Sequence, residues 1–159
     1  MTTQYNTSHS INSRLSLPHG KDISIDFSGG NVTSDAGVIL LAEIDARIGL
    51  TEKISSCIKD TRQPGKIVHS IQEMIQQRIF QISCGYEDCN DAQTLRKDPA
   101  LKIAVGKKPE TDGDLSSQPT LSRLENSITP RDLYRMGEQF LELFIKSQRD
   151  KDVRRIVID

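Results

Sequence analysis

Tryptophan is absent from this chain, and four phenylalanines and three tyrosines are the whole aromatic complement of its 159 residues. A buried core must therefore come mainly from Ile, Leu, Val and Met. Cysteine is also scarce. Cys57, Cys84 and Cys89 make an odd number with no Cys-x-x-Cys spacing, which excludes a disulfide framework and reads as reduced thiols in a cytoplasmic protein. A zinc site needs four well-placed ligands, and His9, His19 and His69 stand at no suitable spacing. Apolar runs fall short of the roughly 18 residues that cross a bilayer, and the N-terminus lacks an apolar signal core, so no membrane partner is expected. An excess of one charge sign is missing too. With 21 Lys and Arg against 22 Asp and Glu, no bulk basic signature of a nucleic-acid binder exists, and any such surface must be local.

The length suits one domain with a real core, and 35% hydrophobic with 27% charged residues fits a soluble globular chain. Residues 1–20 are rich in Ser, Thr and Asn and show no periodicity, which predicts a disordered leader. Ile23, Ile25 and Phe27 alternate with Ser24 and Asp26 as a short strand ending at Gly29-Gly30. Both phosphate-loop patterns, GxGxxG and GxxxxGK[ST], are missing there, so the glycine pair reads as a tight turn.

Helices follow. Thr33, Ser34 or Asp35 is the expected cap of a helix whose stripe is Val38, Leu41, Ile44 and Ile48, stopped by Gly49. Thr51 is the expected cap of a short segment holding Ile54 and Ile58, and Pro64-Gly65 breaks the 60–66 loop. Residues 67–84 form the strongest pattern of the first half. Ile67, Ile71, Met74, Ile75, Ile79 and Ile82 are predicted to face the core, with Gln72, Glu73, Gln76 and Gln77 facing water. Thr129-Pro130-Arg131-Asp132 starts a last helix whose face is Leu133, Met136, Phe140, Leu141 and Phe144. The chain then ends on VRRIVID, which reads as a buried strand finishing in an acid.

The organising stretch is 84–128. Two short helical segments, 88–97 and 99–105, precede a charged loop, and a further helix starts at Pro119. On a helix of about 3.6 residues per turn, Leu121, Leu124 and Ile128 share one side while Ser122, Arg123 and Asn126 share the other. Arg and Asn can pair with guanine and adenine edges or hold phosphates, although a solvated helix face can carry the same residues. Between 93 and 108, Arg96, Lys97, Lys102, Lys107 and Lys108 face Asp98 alone, a patch that could follow a phosphate backbone or simply be solvated.

The run GYEDCNDAQTLRKDPALKIAVGK, then QPTLSRLEN, resembles the N-terminal region of IS1380-group insertion-sequence transposases, which are of the DDE class. FSGGNVTSDAGVILLAEID and the final RRIVID resemble the same proteins in the same order, so the likeness covers residues 23–159. It implies metal-dependent DNA strand cleavage and transfer in transposition by the parent enzyme, with three acidic residues holding two divalent ions such as Mg2+. A strand of branched aliphatics delivering Asp159 would be the start of an RNase H-like sheet, with Asp159, or an acid just beyond it, as the first catalytic and metal-binding carboxylate. One carboxylate cannot clamp two ions, so this chain alone is expected not to cut DNA.

The expectation is a mainly α fold: leader 1–20, a helical DNA-binding domain 21–148, and the beginning of a truncated catalytic domain at 149–159. The expected partner is double-stranded DNA at the terminal inverted repeats, contacted by Thr120, Ser122, Arg123, Asn126 and the five cations from Arg96 to Lys108. The alternative is a noncatalytic DNA-binding or interaction module that regulates transposition, as a homo-oligomer or by pairing with full-length transposase.

Overall fold

A computed structural model of the chain describes residues 13–16, 22–25 and 33–149, and it divides into two units, 1–34 and 35–159. In the first unit, β1 (Ser13–Ser16) and β2 (Asp22–Ile25) pair antiparallel with Ser13 opposite Ile25 and Ser16 opposite Asp22. β1 lies inside the 1–20 stretch. The remainder of that stretch and Phe27 fall outside the described residues, as does everything from 150 to Asp159.

All regular elements in the described part of the second unit are helices. α1 (Val38–Ile48) and α2 (Leu50–Ser56) meet at Gly49, whose φ of 70° is a left-handed conformation that glycine adopts without a Cβ penalty. Asp45 fixes this corner. Its carboxylate accepts the Thr51 backbone N–H at 2.9 Å and the Thr51 hydroxyl at 2.5 Å, and both residues are buried. Thr51 is therefore an interior strut inside α2 rather than its cap. The expected cap of α1 is also displaced: Gly37 occupies that position without a side-chain bond, and the Asp35 carboxylate instead accepts from the Tyr86 hydroxyl at 2.9 Å.

α3 (Ile71–Ser83) is capped by Ser70, whose hydroxyl accepts the Glu73 N–H, and it ends before Gly85 at φ 93°. Its buried line is Met74, Gln77, Phe80 and Gln81, whereas Ile67 and Ile82 stand exposed. The isoleucine stripe is thus only half-covered, and Gln77, expected to face water, is wholly buried. The reason is a long-range contact: the Gln77 amide donates to the Ser116 carbonyl and accepts its N–H.

α4 (Ala92–Leu95) and α5 (Pro99–Ala104) follow, the latter capped by Asp98 through the Leu101 N–H. α6 (Gln118–Ser127) and α7 (Pro130–Gln148) close the unit. Two apolar clusters result. Val38, Phe80, Leu101 and Leu115 join α1, α3 and α5; Met74, Ala92, Leu121 and Leu124 join α3, α4 and α6. Thr129 caps α7 in a reciprocal box with Asp132. The expected apolar face of α7 does not enter either cluster: Leu133, Phe140, Leu141 and Phe144 are exposed, and no residue of this helix is buried.

Candidate nucleic-acid interface

α6 is positioned by its apolar side. Leu121 and Leu124 pack with Met74 of α3 and Ala92 of α4, which leaves Arg123 and Asn126 exposed and Ser122 half-exposed. Thr120 turns toward the helix start, where its hydroxyl lies 3.0 Å from that of Ser117. Arg78 of α3 braces the far end, its Nε donating to Glu125 at 2.5 Å while its other nitrogens hold the Tyr86 and Glu87 carbonyls.

Beside α6 a cleft of about 530 Å³ opens toward the 58–71 segment. Its floor is apolar, with Ile58, Ile71, Met74 and Leu124. Around it stand Lys59, Arg62, Lys66 and Arg123, with Asp60 as the single carboxylate and with Thr120, Ser127 and His69 also on the wall. Arg62 grips Asp60 in a fork, Nε to Oδ1 at 2.8 Å and a terminal nitrogen to Oδ2 at 2.7 Å. That side-chain bond, helped by the Arg62 backbone N–H, holds the Asp60 carboxyl down to about 2 and raises the Arg62 guanidinium in turn. Asp60 therefore stays ionised through neutral pH and cancels one of the four cations. The surplus remains positive.

The five cations from Arg96 to Lys108 are not brought together as a surface. Arg96 reaches Asp114 at 3.0 Å. Lys102 is buried, and its ammonium donates to the Pro109 and Asp112 carbonyls at 3.4 and 3.3 Å and lies 3.7 Å from Asp114. Lys107 pairs with Glu73 at 2.6 Å and lies 3.5 Å from His69 Nδ1. These three brace the 107–115 loop against α3 and α5, while Lys97 and Lys108 are exposed. Lys59, Arg62 and Lys66 escaped the sequence reasoning, which treated 60–66 only as a chain break; the signal available was three cations within eight residues around Pro64-Gly65.

Burial pushes the thiols of Cys84 and Cys89 up, away from the thiolate that reactive cysteines require.

Residues 15–159 match the family described as transposase DDE domain group 1, a match across most of the chain. The chain belongs to that family. No curated protein and no solved structure matches it. DDE transposases use divalent metal in the full-length enzyme and act on DNA. Among the described residues, no group of three or more His, Cys, Asp or Glu side chains could hold an ion, and Asp159 lies outside them. The described part of this DDE-family chain therefore does not fit the metal, and no catalytic step is assigned to it. Among the described residues no helix is long and apolar enough to cross a membrane.

Proposed function

We propose that the helical unit is the DNA-recognition part of a transposase of the IS1380 group, engaging the terminal inverted repeats of its element. The observation that carries this is the cleft: four cations from two chain segments, Lys59, Arg62, Lys66 and Arg123, converge around one carboxylate in a chain of a DNA-transposing family. The cleft cations and the exposed Lys97 and Lys108 would hold phosphates. Arg123 and Asn126, one turn apart on α6, would read base edges, with Ser122 and Thr120 as hydroxyl donors. Arg96, Lys102 and Lys107 would serve DNA binding indirectly, by holding the loop in place. Strand cleavage and transfer belong to the metal-bearing acids of the parent enzyme, and Asp159 is proposed as the first of them, following a strand of an RNase H-like sheet.

Fluorescence anisotropy with terminal-repeat and scrambled duplexes tests this. Preference for the terminal repeat, with an affinity that falls by about 0.9 log unit per phosphate contact for each tenfold rise in salt, is the expected result. Alanine at Arg123 or Asn126 should cost about 1–3 kcal/mol and relax specificity. Equal affinity for both duplexes, or no loss on those substitutions, would remove α6 as the reading helix.

A further inference from the structure

The cleft beside α6 has a part that duplex phosphates cannot use. Lys59, Lys66 and Arg123 stand around it without an ion pair among the described residues, and such cations suit phosphate. The floor is another matter. Ile58, Ile71, Met74 and Leu124 line it, and Met74 and Leu124 are only 2% and 6% exposed, so what they show is shown at the bottom of the hollow. An intact duplex presents hydrated phosphates to the protein and keeps its base faces stacked inside. Laid across the cleft, it would leave this floor wet.

Inorganic phosphate would satisfy the cations and ignore the floor, and a purely apolar ligand would do the reverse. A nucleotide out of its stack supplies both halves: a base with two apolar faces, and a phosphate one sugar away. The size agrees, because about 530 Å³ lies within the roughly 300–1,000 Å³ of sites that enclose small molecules, room for a base and its sugar but not for a duplex. The wall is braced from behind. Glu73 lies 2.6 Å from Nδ1 of His69, Lys107 holds the same carboxylate at 2.6 Å, and the Ser127 hydroxyl donates to the Leu124 carbonyl at 2.7 Å. Arg123 belongs to two surfaces at once, lining the cleft and standing exposed on α6 with Asn126. A strand whose last paired bases lay on α6 would deliver its next nucleotide here. We infer that the cleft takes one unpaired nucleotide of a DNA strand, its base on the apolar floor and its phosphate among Lys59, Lys66 and Arg123. The inference rests on the DNA-recognition reading and adds to it an opened strand end.

The test compares the full chain on a terminal-repeat duplex with a paired end and on the same duplex with its outermost pairs mismatched. The open end should bind about tenfold tighter, because its bases are already unpaired. Methyl NMR should show the Ile58 and Ile71 signals moving on the open duplex far more than on the closed one. Ser127→Leu narrows the hollow at an exposed position and should abolish the difference in affinity, with a thermal melt to show that the variant folds. Equal affinity for the two duplexes overturns the inference and leaves the DNA-recognition reading standing; binding of neither overturns both. A preference that survives in folded Ser127→Leu places the open end elsewhere and also overturns it. Deoxyadenosine monophosphate is the remaining arm: if it moves the same methyls at micromolar concentration while the duplexes bind equally, the cleft serves a free nucleotide and the inference fails.

Discussion

The side-chain amide of Gln77 clasps the backbone of Ser116 from both sides, Nε2 donating to its carbonyl and Oε1 accepting from its N–H, each at 2.9 Å and both wholly buried. Thirty-nine residues separate the two. This clasp fixes where the chain enters α6, and with it the direction of Arg123.

Replacing Gln77 by Leu keeps most of the volume but leaves the Ser116 N–H and C=O buried and unpaired. A cost of about 2–4 kcal/mol is expected from two such groups, read as a lower urea midpoint. If the midpoint does not move, α6 is held by its leucines alone.

Lys102 and Lys97 separate scaffold from surface. Lys102→Ala should destabilise the fold by about 2 kcal/mol, because it removes the buried ammonium that the Pro109 and Asp112 carbonyls accept from and leaves Asp114 with one partner fewer. Lys97→Ala should change stability by less than about 0.5 kcal/mol while weakening DNA binding and flattening its salt dependence by about one phosphate. Thermal melts of the two variants side by side decide it.

Asp60 gives a charge prediction with a definite sign. Its carboxyl is depressed from 3.8 to about 2, so whatever order the Arg62 fork gives the loop is complete above pH 4 and lost as pH falls through 2. A carboxyl-carbon NMR titration should show a midpoint near 2. Asp60→Asn removes the one carboxylate of the cleft and releases Arg62, so DNA affinity should rise and its salt dependence steepen by about one phosphate. Weaker binding by this variant would mean that the fork positions Arg62 rather than restraining it.

The capping box of α7 is exposed and local. Thr129→Ala should cost about 1 kcal/mol, expressed as fraying of the first turn of α7 in amide exchange and with little change in the α3 amides.

Helix limits were largely legible, because the chain punctuates them with residues whose backbone chemistry has one use: Pro119 and Pro130 inside first turns, Thr129 at a cap, Gly49 and Gly85 just beyond ends; the start of α3 was not, since its cap Ser70 sits inside the 67–84 apolar pattern. Facing was less legible. The isoleucines of α3 share one arc of the helix, yet the buried line of Met74, Gln77, Phe80 and Gln81 lies beside it, so the position of Phe80 and the clasp at Gln77, rather than apolar count, decide which side is buried. The charge run from Arg96 to Lys108 looked like a surface because its partners, Glu73 and Asp114, stand outside that window. Conversely, the cleft cations meet Arg123 only through tertiary packing of α6 on α3, which no local pattern records.

Because every residue of α7 is at least partly open to solvent, its amides are guarded by the helix ladder and, among the described residues, by little beyond its contact with α2. Solvent deuterons should therefore enter this helix through small local openings, far sooner than they reach α3.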